Sequence, residues 1–428
     1  MEGRKRVLII TYYWPPSGGS GVQRWLKFAR YLPEYGIDPV IYTPSDPEPD
    51  VFDDSLMHDV PSGITVVKQP IGEPGQWLKR WQRRSSGSSA GEAAKPGLIM
   101  SWVRGNLFIP DPRVGWVKPS VAFLSGFLQR EAIDTVITTG PPHSMHLIGL
   151  GLKKKEPGLR WIADFRDPWT TWGALDKFRL GARAQQRHLE LEREVVSTAD
   201  EVVTISPFYV RQFGQRFQRT VRLVTNGFDA EDFRDFRPET TERFVIRHVG
   251  IVHPEADLEP FLRVFGNWAQ DHPQSELVFT GRVPAALRER VNRDPLLNRC
   301  TSFGTTVPHA ELMSLYAQSA ALLLVLSGYR DAEGFLPGKL FEYLATGLPV
   351  ISCGPPDGDA SALLTACRWP GMSAPSDEAG IRAQLDRAWH DWRSDNRRTP
   401  LSAEAMRWSR QALAGTYADL LFSLSKAH

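Results

Sequence analysis

Short unbroken apolar runs recur along this chain, each followed by a turn and then by apolar residues at helical spacing, and that alternation leaves few folds open. VLIITYY, Val7 to Tyr13, reads as a strand buried on both faces and PPSGGSG as a loop. Val22, Trp25, Leu26, Ala29 and Leu32 then form the inward stripe of a helix before DPVIYTP resumes a strand. Further strands are expected at ITVV near Ile64, DTVIT near Asp134, LRWIAD near Leu159, EVVTIS near Glu201 and VRLVTN near Val221. Strands that alternate with helices pair in parallel with right-handed crossovers, so this series predicts a parallel sheet covered by helices.

RPETTE, Arg237 to Glu242, is polar and turn-prone, and a second series follows it: RFVIRHVG, SELVFTG, CTSFG, ALLLVL and PVISC. The expected class is therefore α/β with two doubly wound parallel-sheet domains, residues 1–238 and 239–409, whose carboxyl edges face a central cleft. The last helical stretch, Ala403 to about Leu424, has no strand after it, which predicts that residues 410–428 cross back onto the first domain.

The segment GFLPGKLFEYLATGLPVISCG, Gly334 to Gly354, carries the most chemistry. A glycine loop between a buried strand and a short helix places unpaired backbone N–H groups at the helix start, where phosphates bind. Gly347 ends the helix and Pro349 keeps it from resuming. Lys339 adds a cation beside those donors, and Glu342 is placed to accept hydrogen bonds from a ribose diol. The bland alternative is a surface lysine and a helix-stabilising glutamate. In the first series Gly18, Gly19 and Gly21 stand where the backbone passes close to something bulky, donor phosphates or a transferred sugar, or else simply form a tight turn. A dinucleotide fingerprint is disfavoured, because GSGVQR has Arg24 where a third glycine is required.

Charge excludes one large class: 51 basic against 49 acidic residues leave +2, with no global field for nucleic acid. Cys300, Cys353 and Cys367 are scattered, which argues against a disulfide framework or a structural zinc site and fits a cytoplasmic setting. No apolar run approaches the length of a membrane span, and MEGRKRVLIITYYW enters a strand directly, so a soluble or at most peripheral protein is expected.

ITYYWPPSGGSGVQR, TTGPPHSMH, ADFRDPWT, TNGFD and PGKLFEYLATGLPVI, in that order and spanning nearly the whole chain, resemble the family-4-type nucleotide-sugar glycosyltransferases of the GT-B fold, in a KLFEY-containing subset. The resemblance implies two Rossmann-like domains and retaining transfer of a sugar from a nucleotide-sugar donor, UDP- or GDP-linked, to a glycan or lipid-linked acceptor. It implies no required metal or other cofactor. It makes Glu342 the ribose-binding carboxylate and the backbone of Phe335, Leu336, Pro337 and Gly338 the contact to diphosphate and sugar. Family members often carry two glutamates separated by seven residues, whereas Glu333 and Glu342 have GFLPGKLF between them, which puts Glu333 in doubt as a sugar ligand. GIVHPEADLEP lacks the arginine or lysine that many relatives place after the second domain's first strand, so Arg282 and Lys339 are expected to supply the cations. His143 takes a position that contacts the donor sugar or its phosphates, with His146 expected on the helix surface. Asp164, Arg166 and Asp167 gather at a strand's carboxyl end, either as an internal ion pair or, for Arg166 and Asp167, to position the acceptor; Asp164 is included among the catalytic candidates.

Asp357-Gly358-Asp359 spells a metal-binding DxD triplet, but Asp359 suits a helix N-cap better. RRSSGSSAGEAAKPG, Arg83 to Gly97, reads as a mobile loop. Its flanks, WLKRWQRR with Trp77 and Trp81 and the aromatic, basic stretch to about residue 110, suit either a solvated helix face or contact with an anionic membrane surface.

Overall fold

The computed structural model describes residues 4–49, 51–72, 98–171, 173–395, 398–399, 401 and 403–426. The segment expected as a mobile loop, and the Trp77/Trp81 flank before it, lie outside the described residues. The chain divides into two compact units, one of Met1–Ile205, Tyr209–Val224 and Ala414–His428, the other of Ser206–Phe208 and Thr225–Leu413. The polar stretch after Arg237 thus falls inside the second unit.

The first unit holds strands β1 (Lys5–Ile10), β2 (Ile37–Pro44), β3 (Thr65–Gln69), β4 (Thr135–Gly140), β5 (Arg160–Phe165), β6 (Glu201–Thr204) and β7 (Arg222–Leu223). They form a seven-stranded sheet in the order β3-β2-β1-β4-β5-β6-β7, parallel at every pairing. Strands covered on both faces need no alternation, and VLII of β1 and all of β4 are buried. The stripe Val22, Trp25, Leu26 and Ala29 of helix Ser20–Tyr31 is buried as its spacing predicts. Tyr417 of the carboxyl-terminal helix packs on that helix, with ring centroids 5.2 Å from Trp25 and 5.3 Å from Phe28. Lys5 Nζ donates to Leu421 O at 3.0 Å, so the last helix is part of the first unit's core.

The second unit holds β8 (Phe244–Val249), β9 (Ser275–Thr280), β10 (Thr301–Gly304), β11 (Ala321–Val325) and β12 (Val350–Cys353). Their order is β10-β9-β8-β11-β12, again all parallel. One apolar cluster lies around Phe341, Leu344 and Trp408 and another around Phe265, Trp268 and Leu385, covering the two faces of the sheet.

The stretch Ala403 to Leu424 is not one helix. A 3-10 turn, Ala405–Trp408, is separated from helix Arg410–Lys426 by Ser409, which is extended at φ −65°, ψ 146°. Ser409 bridges Phe228, and Arg410 N–H donates to Phe228 O at 2.8 Å. Gly227 makes this possible, because a side chain there would strike the carbonyl of Trp408.

In both sheets the strand order reverses once, between β1 and β4 and between β8 and β11. Loops leaving neighbouring strands on opposite sides of such a reversal diverge and leave a crevice at the carboxyl ends. Within each unit, the candidate loops are the ones that leave those strands.

Candidate functional site

In the first unit the loop after β1 enters helix Ser20–Tyr31 through Gly19, at φ 94° and with no side-chain cap. Gly18 N–H donates to Val51 O at 2.8 Å, and a Cβ on Gly18 would sit 3.0 Å from Val51 Cγ1. Among the described residues nothing lies within 4 Å of the corresponding position on Gly19. A Cβ on Gly21 would land on the Arg166 guanidinium, so the nearest bulky group at Gly21 is a side chain of the protein itself.

Asp164, among the catalytic candidates, is wholly buried and fully engaged. Arg24 approaches it bidentately, Nη2 to Oδ1 at 3.0 Å and Nε to Oδ2 at 3.2 Å, with both side chains at 0% exposure. Trp25 Nε1 and Thr139 Oγ1 donate to Oδ2 at 3.0 and 3.1 Å, and Arg24 Nη2 also donates to Val224 O at 2.9 Å. Burial pushes the Asp164 carboxyl up, but Arg24 outweighs it and holds the group below its ordinary range. A carboxylate with this many partners has no face left for a ligand, so Asp164 is corrected to a brace between β5 and the first helix. The same arrangement explains Arg24 where a nucleotide fingerprint would have glycine.

Arg166 is 9% exposed; Nη2 donates to Pro141 O and the guanidinium lies 6.0 Å from the Tyr13 ring centroid. Burial lowers its pKa against the opposing pull of Asp167, and burial raises that of the partly buried Asp167.

His143 is the residue before helix Ser144–Lys155, and its ring stacks on Trp169 at 5.0 Å with parallel planes. Its Nδ1 is buried without a hydrogen-bond partner among the described residues. Burial, then His146 and Arg166, drives its pKa well below the ordinary value, so the imidazole is neutral. His146 is not on the surface: it is 0% exposed, because its helix packs against β4 and β5 and against helices Val117–Arg130 and Ala182–Thr198. Trp161 Nε1 donates to Thr138 Oγ1 at 2.9 Å, and that oxygen lies 2.9 Å from His146 Nδ1. The threonine hydroxyl thus links the indole to the imidazole, while His146 Nε2 is buried without a hydrogen-bond partner among the described residues. Burial lowers its pKa to about 3. The helix start itself is occupied: Asp111 accepts from Ser144 N–H and Ser144 Oγ, each at 2.8 Å. Asp111, in IPDPRV, carries no motif that would have marked it.

In the second unit, helix Gly338–Thr346 starts after Pro337 with no side-chain cap. Phe335 N–H donates to Ala332 O and Leu340 N–H to Pro337 O, so the amides left without intrahelical acceptors are those of Gly338 and Lys339. The Leu336 carbonyl accepts from Asn226 Nδ2 at 3.2 Å, tying the TNGFD motif to this loop. By contrast, helix Glu259–Asp271, which follows β8, has Asp257 Oδ1 accepting from Glu259 N–H at 3.2 Å.

Lys339 Nζ lies 3.0 Å from His248 Nε2 and against Gly250, whose φ is 93°. Burial lowers the Lys339 pKa to about 8 while Glu342 pulls it back up. Glu342 Oε2 accepts from Tyr316 Oη at 2.8 Å, and His309 Nε2 lies 3.5 Å from Oε1. Burial pushes the carboxyl up, but His309, Tyr316 and the Arg410 charge outweigh it and keep Glu342 ionised. Arg282 is exposed, and its carbonyl accepts from Val252 N–H at 2.9 Å, which ties the loop after β8 to the loop after β9. Glu333 is exposed in the 3-10 turn Ala332–Gly334. Asp359 is the first residue of helix Asp359–Ala366 rather than its N-cap, which is Gly358; its Oδ2 accepts from Phe208 N–H at 2.7 Å. Among the described residues no group of three or more His, Cys, Asp or Glu is placed to hold a metal ion, and no helix is long and apolar enough to cross a membrane.

Residues 18–227 match the family model of the glycosyl transferase 4-like domain, a range that begins near the end of the loop after β1 and takes in the loop after β4. Comparison with curated proteins by sequence finds no match. Among solved structures the chain is similar to a sucrose-phosphate synthase from Thermosynechococcus elongatus, at 16% identity and TM-score 0.65 over 99% of this chain and 100% of that one. It is similar to a glycosyltransferase from Rickettsia africae, at 10% identity and TM-score 0.61 over 98% of each chain. A protein from Listeria monocytogenes assigned as a UDP-N-acetylglucosamine 2-epimerase is similar at 10% identity and TM-score 0.58, over 100% of this chain and 98% of that one. The chain has the two-domain parallel α/β fold of GT-B proteins, and its residues 18–227 are similar to the glycosyl transferase 4-like domain.

Proposed function

We propose that the protein is a glycosyltransferase of the KLFEY-containing subset, moving a sugar from a UDP- or GDP-linked donor to a glycan or lipid-linked acceptor with retention. The observation that carries this reading is the start of helix Gly338–Thr346. Uncapped amides, the Lys339 ammonium and the ionised Glu342 carboxylate share one turn, a combination that suits the diphosphate and the ribose of a single ligand. Glu342 would accept from the ribose hydroxyls, while the Gly338 and Lys339 amides, Lys339 Nζ and Arg282 would stabilise charge on the leaving diphosphate. Their positive charge supports turnover without an added metal ion.

His143, neutral and stacked on Trp169, would contact the donor sugar or its phosphates, with Gly18, Gly19 and Gly21 giving close approach and Arg166 and Asp167 positioning the acceptor. With Phe335 N–H spent in its turn, we give the diphosphate contact to the Gly338 amide, while Glu333, exposed in the turn before the helix, is accessible to a donor sugar. The sugar–phosphate C–O bond breaks, the acceptor oxygen bonds to the same face, and its proton passes to the departing phosphate. We place the protein in the cytoplasm, in peripheral contact with the membrane. Trp102 and Leu107, 48% and 66% exposed on helix Leu98–Leu107, favour that contact.

Incubation of the purified protein with a panel of UDP- and GDP-sugars tests the reading. Release of free nucleoside diphosphate with sugar transferred or hydrolysed supports it. An intact donor carrying an altered sugar would instead support an epimerase, the activity for which the Listeria protein is named. No binding and no turnover across the panel refutes both.

A further inference from the structure

We propose that His248 is a positioning residue for an anionic diphosphate: its Nε2 accepts a hydrogen bond from Lys339 Nζ and holds that ammonium against the bare Cα of Gly250. This rests on the donor reading above and adds to it a residue that no motif marks.

A lysine ammonium is a point charge on a flexible stem, and fixing it costs rotamer entropy unless something holds it. The strand reversal supplies the holder. Because β8 pairs with β11 (Ala321↔Ile246, Leu322↔Arg247), the last residues of β8 lie beside the loop and helix that follow β11. His248 is 6% exposed, with its ring 5.7 Å from Phe279, so its orientation is set by packing. An imidazole accepts a hydrogen bond only when neutral; burial first, and then the Lys339 charge, keeps it so. The other titratable groups felt by the pair are Glu342, which favours the ammonium, and His253, which further disfavours a charged His248.

An ammonium has three N–H donors, and His248 occupies one. Gly250, at φ 93°, presents no side chain to Nζ; a Cβ there would lie 3.7 Å from it. Val252 N–H, donating to Arg282 O at 2.9 Å, keeps that turn in place. The remaining N–H groups therefore have room for phosphate oxygens beside the free helix start. The competing account is that His248 and Lys339 merely satisfy each other as a buried polar pair.

Titration calorimetry of the full chain with inorganic pyrophosphate, UDP and GDP decides between them, using H248Q and H248N. A glutamine amide oxygen reaches where Nε2 sits, and an asparagine one does not. H248N should bind each anion roughly tenfold more weakly, the fold-change of about one hydrogen bond, and should lose affinity at lower pH than the parent. H248Q should restore both the affinity and the pH profile, with the melting temperatures of the two variants matched. H248N equal to the parent overturns the assignment, as do H248N and H248Q equally weak, since packing would then be what matters. A parent chain that binds none of the three probes removes the donor reading, and this inference with it.

Discussion

Replacing Asp164 by asparagine isolates the first unit's buried charge pair with almost no change of volume. Arg24 and Asp164 are both at 0% exposure and meet through two hydrogen bonds, so the substitution strands a guanidinium in a water-free site. The asparagine oxygen can still accept from Arg24, but its NH2 then faces Trp25 Nε1 and Thr139 Oγ1, which donate to the carboxylate in the native arrangement. Breaking one side of a buried pair costs about 3–5 kcal/mol. For a unit of this size, each kcal/mol is roughly 2–4 °C in Tm, so a fall of about 6–20 °C is expected in calorimetric melting at pH 7. Removing both partners in R24M/D164L, with apolar groups of similar volume, should recover most of the loss. The sign with pH is fixed by the lowered carboxyl: its stabilisation is present above the unfolded value near 4 and is lost as pH falls through the folded one. D164N within about 1 kcal/mol of the parent, or a double variant no better than the single, would refute the brace.

Glu342→Ala should weaken UDP or GDP binding by roughly 10- to 100-fold, the loss of one or more hydrogen bonds to a charged acceptor, while pyrophosphate affinity measured alongside stays nearly constant. Diphosphate affinity should decline as pH rises through about 8, where Lys339 loses its proton, and Lys339→Met should bind weakly with a flat profile by calorimetry. Burial holds His146 at about 3 against an unfolded value near 6.5, so the unfolded chain takes up the extra proton and stability falls as pH drops from 6.5 towards 3. His146→Phe should flatten that slope in melting curves recorded between pH 7 and 5.

Apolar runs and turn residues made the two parallel sheets legible, because strands covered on both faces carry their signature locally. GKLFEY likewise made the uncapped helix start legible, because the helix, with Lys339 and Glu342 in its first turns, is encoded within one short stretch of sequence. What could not be read depended on distant packing. His146 is buried by contacts with Thr138 of β4 and Phe165 of β5, neither of them near it in sequence as a helix neighbour would be. Asp164 and Arg24 are 140 residues apart, and their separation hid a pairing that settles both. His248 is adjacent to Lys339 only because the strand order reverses there. The break at Ser409 follows from its pairing with Phe228, which no local propensity signals.

The two aspartates at helix starts bear on charge selectivity. Each unit has two helices beginning beside its strand reversal, and in each unit one start is plugged by the chain's own carboxylate, Asp111 on Ser144 and Asp257 on Glu259. The other start, after Gly19 or Pro337, is left open. These carboxylates act as built-in competitors: they occupy the seats where a phosphate would otherwise bind with similar geometry in the wrong register. Within each unit, considered by itself, one of the two helix starts beside the strand reversal is thereby closed to an added anion.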